Sequence, residues 1–272
     1  SIKASYNRLN QYLHLISNTS SPTPLDIWVP SGPYIKPQKL DQFALGYYTK
    51  VKEVKLESEV FYKKIKNRLD YIDGADLVAN DNIETVILPG ISRAYGMELL
   101  LRKNSGRHRY WIAYTLSKSE QKTPGRNSNE NGINMSKWYN TPYDKTHDFS
   151  INSEYNINKK LKIVGNFIFQ TGQPTNYPNS QYNYMNLNVP NYGERNSQRL
   201  PNYHRFDINL TLTPNKNDKK IESSWVFGIY NIYDRDNASS IIFRRNNETL
   251  KNEAVQISIF GIVPSVTYNF KF

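Results

Sequence analysis

Alternation between apolar and polar residues is the dominant pattern along this chain. In segments 148–157, 205–212 and 266–272 nearly every second residue is apolar and its neighbours are polar. Since successive side chains of a strand point to opposite faces, this pattern predicts strands with one apolar and one polar face. Seven further segments show the same tendency less regularly: 2–17, 41–52, 54–66, 90–103, 107–118, 161–171 and 221–233.

The lengths of these ten predicted strands, and of their connections, favour a barrel in a membrane. Most of the strands reach ten residues or more, whereas strands of soluble sheets cluster near about five or six and a tilted membrane-crossing strand needs about nine to eleven. Connections after the even-numbered strands are short: 51–54, 104–107, 158–160 and 214–220. Connections after the odd-numbered strands are long: 18–40, 67–89, 119–144, 172–202 and 234–255.

Tight turns on the periplasmic side and large loops outside are the arrangement of outer-membrane barrels. The sequence therefore predicts an all-β fold, an antiparallel transmembrane β-barrel of which about ten strands are present. The apolar face would meet lipid and the polar face would line the lumen.

Composition agrees with one-sided strands and excludes several other classes. The 272 residues include 21 Tyr, 11 Phe and 4 Trp but no Cys, and the mean hydropathy is −0.70. Disulfides and Cys-ligated zinc are therefore excluded, and no apolar run approaches the roughly 18 residues of a membrane-spanning helix. The net charge of +11 comes from cations scattered among acids and Asn. That distribution predicts no nucleic-acid partner.

The long loops are the expected place for ligand contact, because aromatic rings and side-chain amides suit sugars, peptides and chelates alike. No catalytic residue and no cofactor is expected. The four histidines lack the spacing of a zinc motif, so no metal site is expected either. The predicted ligand-contact residues are Trp28, Tyr34, Trp138, Tyr139, Tyr182, Tyr184 and Tyr192. The alternative for each ring is that it packs one loop against another.

Several short motifs, in this order along the chain, resemble the barrel of TonB-dependent outer-membrane receptors, especially those of Bacteroidetes, which include the SusC-like transporters. The motifs are PLDIWVP at 24–30, IKPQ at 35–38, AYGME at 94–98, AYTLS at 113–117, DKTHD at 144–148, TGQP at 171–174, RLPNYHRFD at 199–207 and YNIY at 230–233. The terminal alternation also resembles the signal read by the barrel assembly machinery, with Tyr268, Phe270 and Phe272 in the matching places.

The resemblance implies a barrel of 22 strands preceded by a plug domain and a TonB box. Residues 1–272 would then be the C-terminal part of that barrel, with the plug and the TonB box absent from this chain. The implied function is that of an outer-membrane active-transport receptor for a large, scarce solute such as a siderophore, vitamin, oligosaccharide or peptide. The implied partners are outer-membrane lipid, the TonB complex acting through the missing N-terminal part, the barrel assembly machinery, the solute and, as a further candidate, a surface lipoprotein.

Two alternatives stay open from the sequence. A self-contained ten-stranded outer-membrane barrel could carry an enzyme at its rim, where His147 and His204 would lie near strand ends. A soluble β-rich binding module could use the same aromatic residues as cross-strand pairs.

Overall fold

The computed structural model describes residues 1–16, 27–77, 80–185, 187–214, 222–246, 248–249 and 252–271. Two short 3-10 turns, Ile83–Thr85 and Ile133–Ser136, accompany the strands. In chain order the strands are β1 (Ile2–Gln11), β2 (Leu13–Leu15), β3 (Trp28–Pro30), β4 (Gln38–Val51), β5 (Val54–Tyr71), β6 (Ile87–Lys103), β7 (His108–Lys122), β8 (Tyr139–Asn140), β9 (His147–Asn156), β10 (Leu161–Gln170), β11 (Pro174–Thr175), β12 (Pro178–Tyr184), β13 (Leu187–Tyr192), β14 (Gln198–Arg199), β15 (Tyr203–Leu212), β16 (Glu222–Tyr230), β17 (Ala238–Arg245), β18 (Asn252–Ser258) and β19 (Val263–Lys271).

Ten long strands form one antiparallel sheet in the order β1-β4-β5-β6-β7-β9-β10-β15-β16-β19, with β8 added beside β7. These are the ten strands that the alternation predicts, and the all-β fold is confirmed. Short turns lie at one end of the sheet: Val51 pairs with Val54 across a two-residue turn in which Lys52 has a φ of 54°. The predicted turn at 214–220 falls mostly outside the described residues.

Strand pairing aligns apolar side chains on one face of the sheet. One row of this face crosses the first four strands of the sheet and consists of aromatic residues, which are between 40 and 56% exposed. We call it the aromatic row: Tyr6, Phe43, Tyr62 and Tyr95. A second row continues the same face across three later strands: Ile151, Phe167 and Phe206. A face this apolar, left uncovered by the described chain, matches the lipid side of a barrel.

The opposite face is polar and carries ion pairs between neighbouring strands. Arg102 reaches Glu57 at 3.1 Å, and Glu154 accepts from Lys162 at 3.3 Å and also pairs with Arg109. Paired charges and amides in these positions suit a wet lumen wall, because the face that meets hydrocarbon cannot hold them.

The apolar band has the width of a bilayer core. On β5 it runs from Val54 to Tyr62 and stops at Lys64, so it covers residues 54–63. A tilted strand needs about nine to eleven residues to cross. The next row of the same face is charged on β1, β4, β5, β6 and β7. We call it the charged row: Arg8, Asp41, Lys64, Arg93 and Glu120. Beyond it, β5 continues to Tyr71 and extends past the membrane.

Two predicted strands extend past the observed ones by two residues or more. Segment 2–17 does not form one strand: β1 ends at Gln11, and β2 pairs with β3 in a separate two-stranded sheet. Segment 221–233 ends at Tyr230, because Asn231 adopts a φ of 53° and its buried side chain bonds the backbone of Arg235. The long connections also hold short strands of their own, a feature the sequence analysis missed.

The sheet ends at β1 and β19, and the described residues show no pairing between these two edges. A self-contained ten-stranded barrel would need that pairing. Among the described residues no helix is long and apolar enough to cross a membrane.

We predict that a charge on the apolar face destabilises the folded barrel, whereas the same charge one residue away does not. Ile151→Arg should lower the free energy of unfolding of the folded protein by about 2–4 kcal/mol, since Arg near the bilayer centre costs that much on a lipid-facing strand. Asn152→Arg, on the polar face, is the matched control. Guanidinium titration of the protein folded in phospholipid vesicles measures both, and equal losses would contradict the assignment of faces.

Candidate functional site

The loop-bearing rim of the sheet is the candidate site. All of the described short strands lie here, in the long connections. Two clusters of buried apolar residues join these connections to the first residues of β6. One cluster, Leu88, Ile133 and Tyr139, packs against Ile72. Leu88 is fully buried because residues of the connection between β7 and β9 cover it. The rim is therefore a packed structure and not a set of free loops.

A β-bulge near the end of β5 directs Asp70 to the polar face. The register shifts between Lys66 and Arg68, and Asn67 between them has a φ of 58°. One extra residue moves every following side chain to the opposite face. Asp70 consequently lies opposite Leu88 on the lumen side, and its side chain is only 2% exposed.

Four partners surround the Asp70 carboxylate. Arg195 and the backbone N–H of Tyr71 donate to Oδ1 at 2.6 and 2.8 Å, and Gln121 and Tyr139 donate to Oδ2 at 2.7 and 2.6 Å. A buried carboxylate is stable only when it is paired and hydrogen-bonded in this way. Arg195 comes from the connection between β10 and β15, so the carboxylate holds that connection to the end of β5.

A second buried carboxylate fastens the same connection to β7. The side chain of Asp144 is fully buried, accepts from the backbone N–H of Ser119 at 2.5 Å and pairs with Arg199. Asn140 and Asn196 add reciprocal bonds from side-chain amide to backbone carbonyl. Two independent ion pairs thus hold residues 195–199 against the rim, and we call Asp70–Arg195 and Asp144–Arg199 the rim ion pairs.

Two of the groups that donate to Asp70, Tyr139 and Arg195, keep their protons. Burial raises the pKa of the Tyr139 hydroxyl far above its usual value, and the charge of Asp70 raises it further. Burial alone would lower the pKa of Arg195, but the charges of Asp70 and Asp73 outweigh that effect and raise it. Both groups therefore remain hydrogen-bond donors across the physiological pH range, and the arrangement fixes the loops.

The predicted ligand-contact residues occupy different surroundings at the rim. Tyr34 is 84% exposed, and Trp28 is half-exposed on β3. Trp138 lies 4.1 Å from the guanidinium of Arg93, and Tyr139 is buried with its hydroxyl on Asp70. Three rings project from the β12–β13 hairpin with more than half of their surface exposed: Tyr182, Tyr184 and Tyr192. The described residues do not gather these seven side chains into one pocket.

Sequence reasoning missed Asp70 and Arg195, which are 125 residues apart and belong to no local motif. Asp144 and Arg199 do fall in two of the family-like motifs, DKTHD and RLPNYHRFD, and these motifs are the sequence signal that could have identified them.

At the turn end of the sheet, Tyr268 and Phe270 lie on the apolar face of β19, where Tyr268 contacts Trp225 with ring centres 4.6 Å apart. Phe272 lies outside the described residues.

These features together define an arc of an outer-membrane β-barrel: an antiparallel sheet with an apolar band of membrane width, a polar lumen face and all large loops at one end. A sequence model of the family described as "TonB dependent receptor-like, beta-barrel" matches residues 1–232. The chain belongs to this family, and its localisation is the outer membrane. No curated protein sequence matches the chain.

Solved structures of similar fold are outer-membrane receptors. The ferric-catecholate import receptor Fiu of E. coli K12 has a TM-score of 0.58 and 17% identity over 99% of this chain and 32% of its own. For the ferripyoverdine receptor of Pseudomonas aeruginosa these values are 0.59, 11%, 99% and 30%. For BauA, the ferric preacinetobactin receptor of Acinetobacter baumannii, they are 0.55, 15%, 99% and 34%. The chain spans about a third of the length of these receptors, and identities this low show the fold alone.

We predict that Arg195→Gln in the intact receptor releases the connection between β10 and β15. Removing one partner of a buried ion pair leaves Asp70 unpaired and typically costs about 3–5 kcal/mol. Amide hydrogen exchange of residues 172–202 should accelerate accordingly. Arg244→Gln is the control, because its pair with Glu253 is largely exposed and such pairs contribute at most about 1 kcal/mol. Unchanged protection of 172–202 in Arg195→Gln would refute the fastening role.

Proposed function

We propose that this chain is the C-terminal, ten-stranded part of the barrel of an outer-membrane active-transport receptor. The receptor would import a large, scarce solute: a siderophore, a vitamin, an oligosaccharide or a peptide. On this proposal the remaining strands of a 22-stranded barrel, the plug domain and the TonB box belong to the rest of the receptor, and the TonB complex supplies energy through that N-terminal part. In this receptor the chain would form part of the barrel wall and of the loop-bearing rim, and it would have no catalytic role.

The observation that carries the proposal is that the rim is folded onto the lumen face. Asp70 and Gln121 both lie on the polar side of their strands, and both are buried beneath the connections that the rim ion pairs hold. Loops fixed over the lumen narrow the entrance and present a constant surface to an incoming solute. A solute too large to diffuse through would need such an entrance together with an energised gate.

The exposed tyrosines of the β12–β13 hairpin are the best candidates for first contact with the solute. Tyr182 and Tyr184 alternate with Asn183, so their side chains leave the same face of the strand. Tyrosine offers a large rigid contact area with a hydroxyl that can donate or accept, which suits sugars, peptides and chelates. Trp28 and Tyr34 complete the exposed set on the β1–β4 connection, and we assign Trp138 and Tyr139 to supporting the rim.

Within the family, we propose that the receptor belongs with those of Bacteroidetes, SusC-like transporters included. The support is the order of the eight short motifs along the chain. A surface lipoprotein would then be a further partner at the rim. Co-purification of the intact receptor from its native membrane tests this, and recovery of the receptor without any lipoprotein would count against the subgroup.

The function is tested by uptake. A strain lacking the receptor should lose accumulation of one solute from a panel of ferric siderophores, cobalamin, oligosaccharides and peptides offered at limiting concentration. Restoring the receptor should restore uptake, and dissipating the proton-motive force should abolish it. If the uptake of every solute in the panel is the same with and without the receptor, the proposal is rejected.

We predict that replacing Tyr182, Tyr184 and Tyr192 together by Ala raises the solute concentration for half-maximal uptake at least tenfold. A tenfold change corresponds to about 1.4 kcal/mol, and hot-spot aromatic contacts are each worth more than about 1 kcal/mol. Tyr47→Ala with Tyr155→Ala is the control, because these exposed rings lie on the apolar face. Equal effects of the two variants at equal surface levels would exclude the hairpin as a solute contact.

We propose that Tyr268, Phe270 and Phe272 form the signal for the barrel assembly machinery. The described part of β19 supports this, since Tyr268 and Phe270 point to the apolar face of the last strand in the sheet. We predict that deletion of Phe272 lowers the amount of assembled receptor several-fold, measured as heat-modifiable protein in outer-membrane fractions. Val263→Ala, on the polar side of the same strand, is the control, and unchanged assembly after the deletion would disprove the signal.

A further inference from the structure

The boundary between the aromatic row and the charged row forms a lipid-facing cleft on β1, β4 and β5. Its volume is about 340 Å³, and Tyr6, Phe43 and Tyr62 supply aromatic surface to its lining. Arg8, Lys64 and Lys66 supply cations to the same lining. The cleft is on the outer surface of the barrel, at the loop end of the apolar band, and so at the level where head groups meet hydrocarbon.

The anions on this surface are already matched. Asp41 accepts from Arg8 Nε at 2.7 Å and from the hydroxyl of Tyr6 at 2.7 Å. On β6 and β7, Glu120 lies 2.8 Å from Arg93, whose guanidinium also stacks on Trp138 at 4.1 Å. These contacts use the two carboxylates of the charged row.

Three exposed lysines lie at the cleft: Lys64 and Lys66 line it, and Lys39 is next to it on β4. Lys39, Lys64 and Lys66 form no ion pair in the part of the chain that the structure describes, and all three lie on the same outer face. The register places Lys39 directly opposite Lys66, and it places Lys64 between Asp41 of β4 and Arg93 of β6. Like charges opposite one another destabilise a sheet, so an anion at this position would remove repulsion as well as gain attraction.

We propose that this cleft is a binding site for a phosphorylated membrane lipid of the outer leaflet. The phosphate would lie among the ammonium groups of Lys39, Lys64 and Lys66, and the acyl chains would follow the aromatic row down the apolar band. A free inorganic anion would use only the cationic half of the site. The aromatic floor beneath the lysines, continuous with the apolar face, is what favours a lipid.

The site is independent of the transported solute, since it lies on the outer surface and shares no residue with the rim ion pairs or with the β12–β13 hairpin. Binding at this site also differs from general contact with lipid, because the affinity of the receptor for the lipid should depend on the phosphate and on the three named lysines. Attraction between a membrane anion and a nearby Lys changes the affinity about fivefold for each residue. Three lysines together therefore predict at least a tenfold preference.

The test uses the intact receptor in phosphatidylcholine nanodiscs that contain bisphosphorylated lipid A, with bound lipid counted by native mass spectrometry. The triple variant Lys39→Gln/Lys64→Gln/Lys66→Gln should lose at least tenfold in lipid A affinity. Its matched control is Lys50→Gln/Lys55→Gln/Lys63→Gln, which removes three lysines of the same two strands from the polar face. The control should retain the wild-type affinity.

Further arms separate the sources of the anion. Dephosphorylated lipid A should bind the wild-type receptor at least tenfold more weakly, and inorganic phosphate at equal concentration should not displace the lipid. If the triple variant fails to assemble, Lys64→Gln alone should lose about fivefold in affinity, while Lys64→Arg retains binding. Equal lipid A affinity of the triple variant and its control, no preference for phosphorylated lipid, or displacement by inorganic phosphate would each overturn the proposal.

Discussion

The need to satisfy every backbone hydrogen bond within hydrocarbon governs this structure. Water is absent there, so strands can cross only when each is paired with its neighbours along the crossing segment. The antiparallel pairing from β1 to β19 meets that need for all the internal strands. The period of two then divides the side chains between lipid and lumen. An apolar band ending at Lys64, and ion pairs such as Glu57 with Arg102 on the other face, follow from these two constraints.

Once the chain leaves the bilayer the constraint is lifted, and a different kind of structure begins. The bulge at Asn67 marks the change, because beyond it β5 directs Asp70 into a packed rim. There the buried apolar clusters and the rim ion pairs organise the long connections. The membrane-spanning part has a polar face and an apolar face and little interior of its own, so the buried apolar residues of the described chain cluster at the loop-bearing rim.

The sequence predicts the membrane-spanning part because its rule is local. In 205–212 the apolar and polar residues identify both strand and face without any knowledge of the neighbours. The rim follows no local rule: Asp70 and Arg195 meet across 125 residues, and the side on which Asp70 lies depends on one extra residue in β5. For the same reason, Tyr139 was predicted as a ligand contact from its type and loop position alone, whereas its burial depends on contacts that only the fold creates.

The assignment of the two faces to lipid and to lumen can be measured directly, because these 272 residues contain no Cys that would compete for a label. Single cysteines placed along residues 54–63 of β5 in the intact receptor can carry nitroxide labels. Collision with oxygen, which concentrates in lipid, should be high at the even positions and low at the odd ones, and a water-soluble nickel chelate should give the reverse. Accessibility that does not alternate with a period of two, or that alternates in the opposite sense, would contradict the central claim.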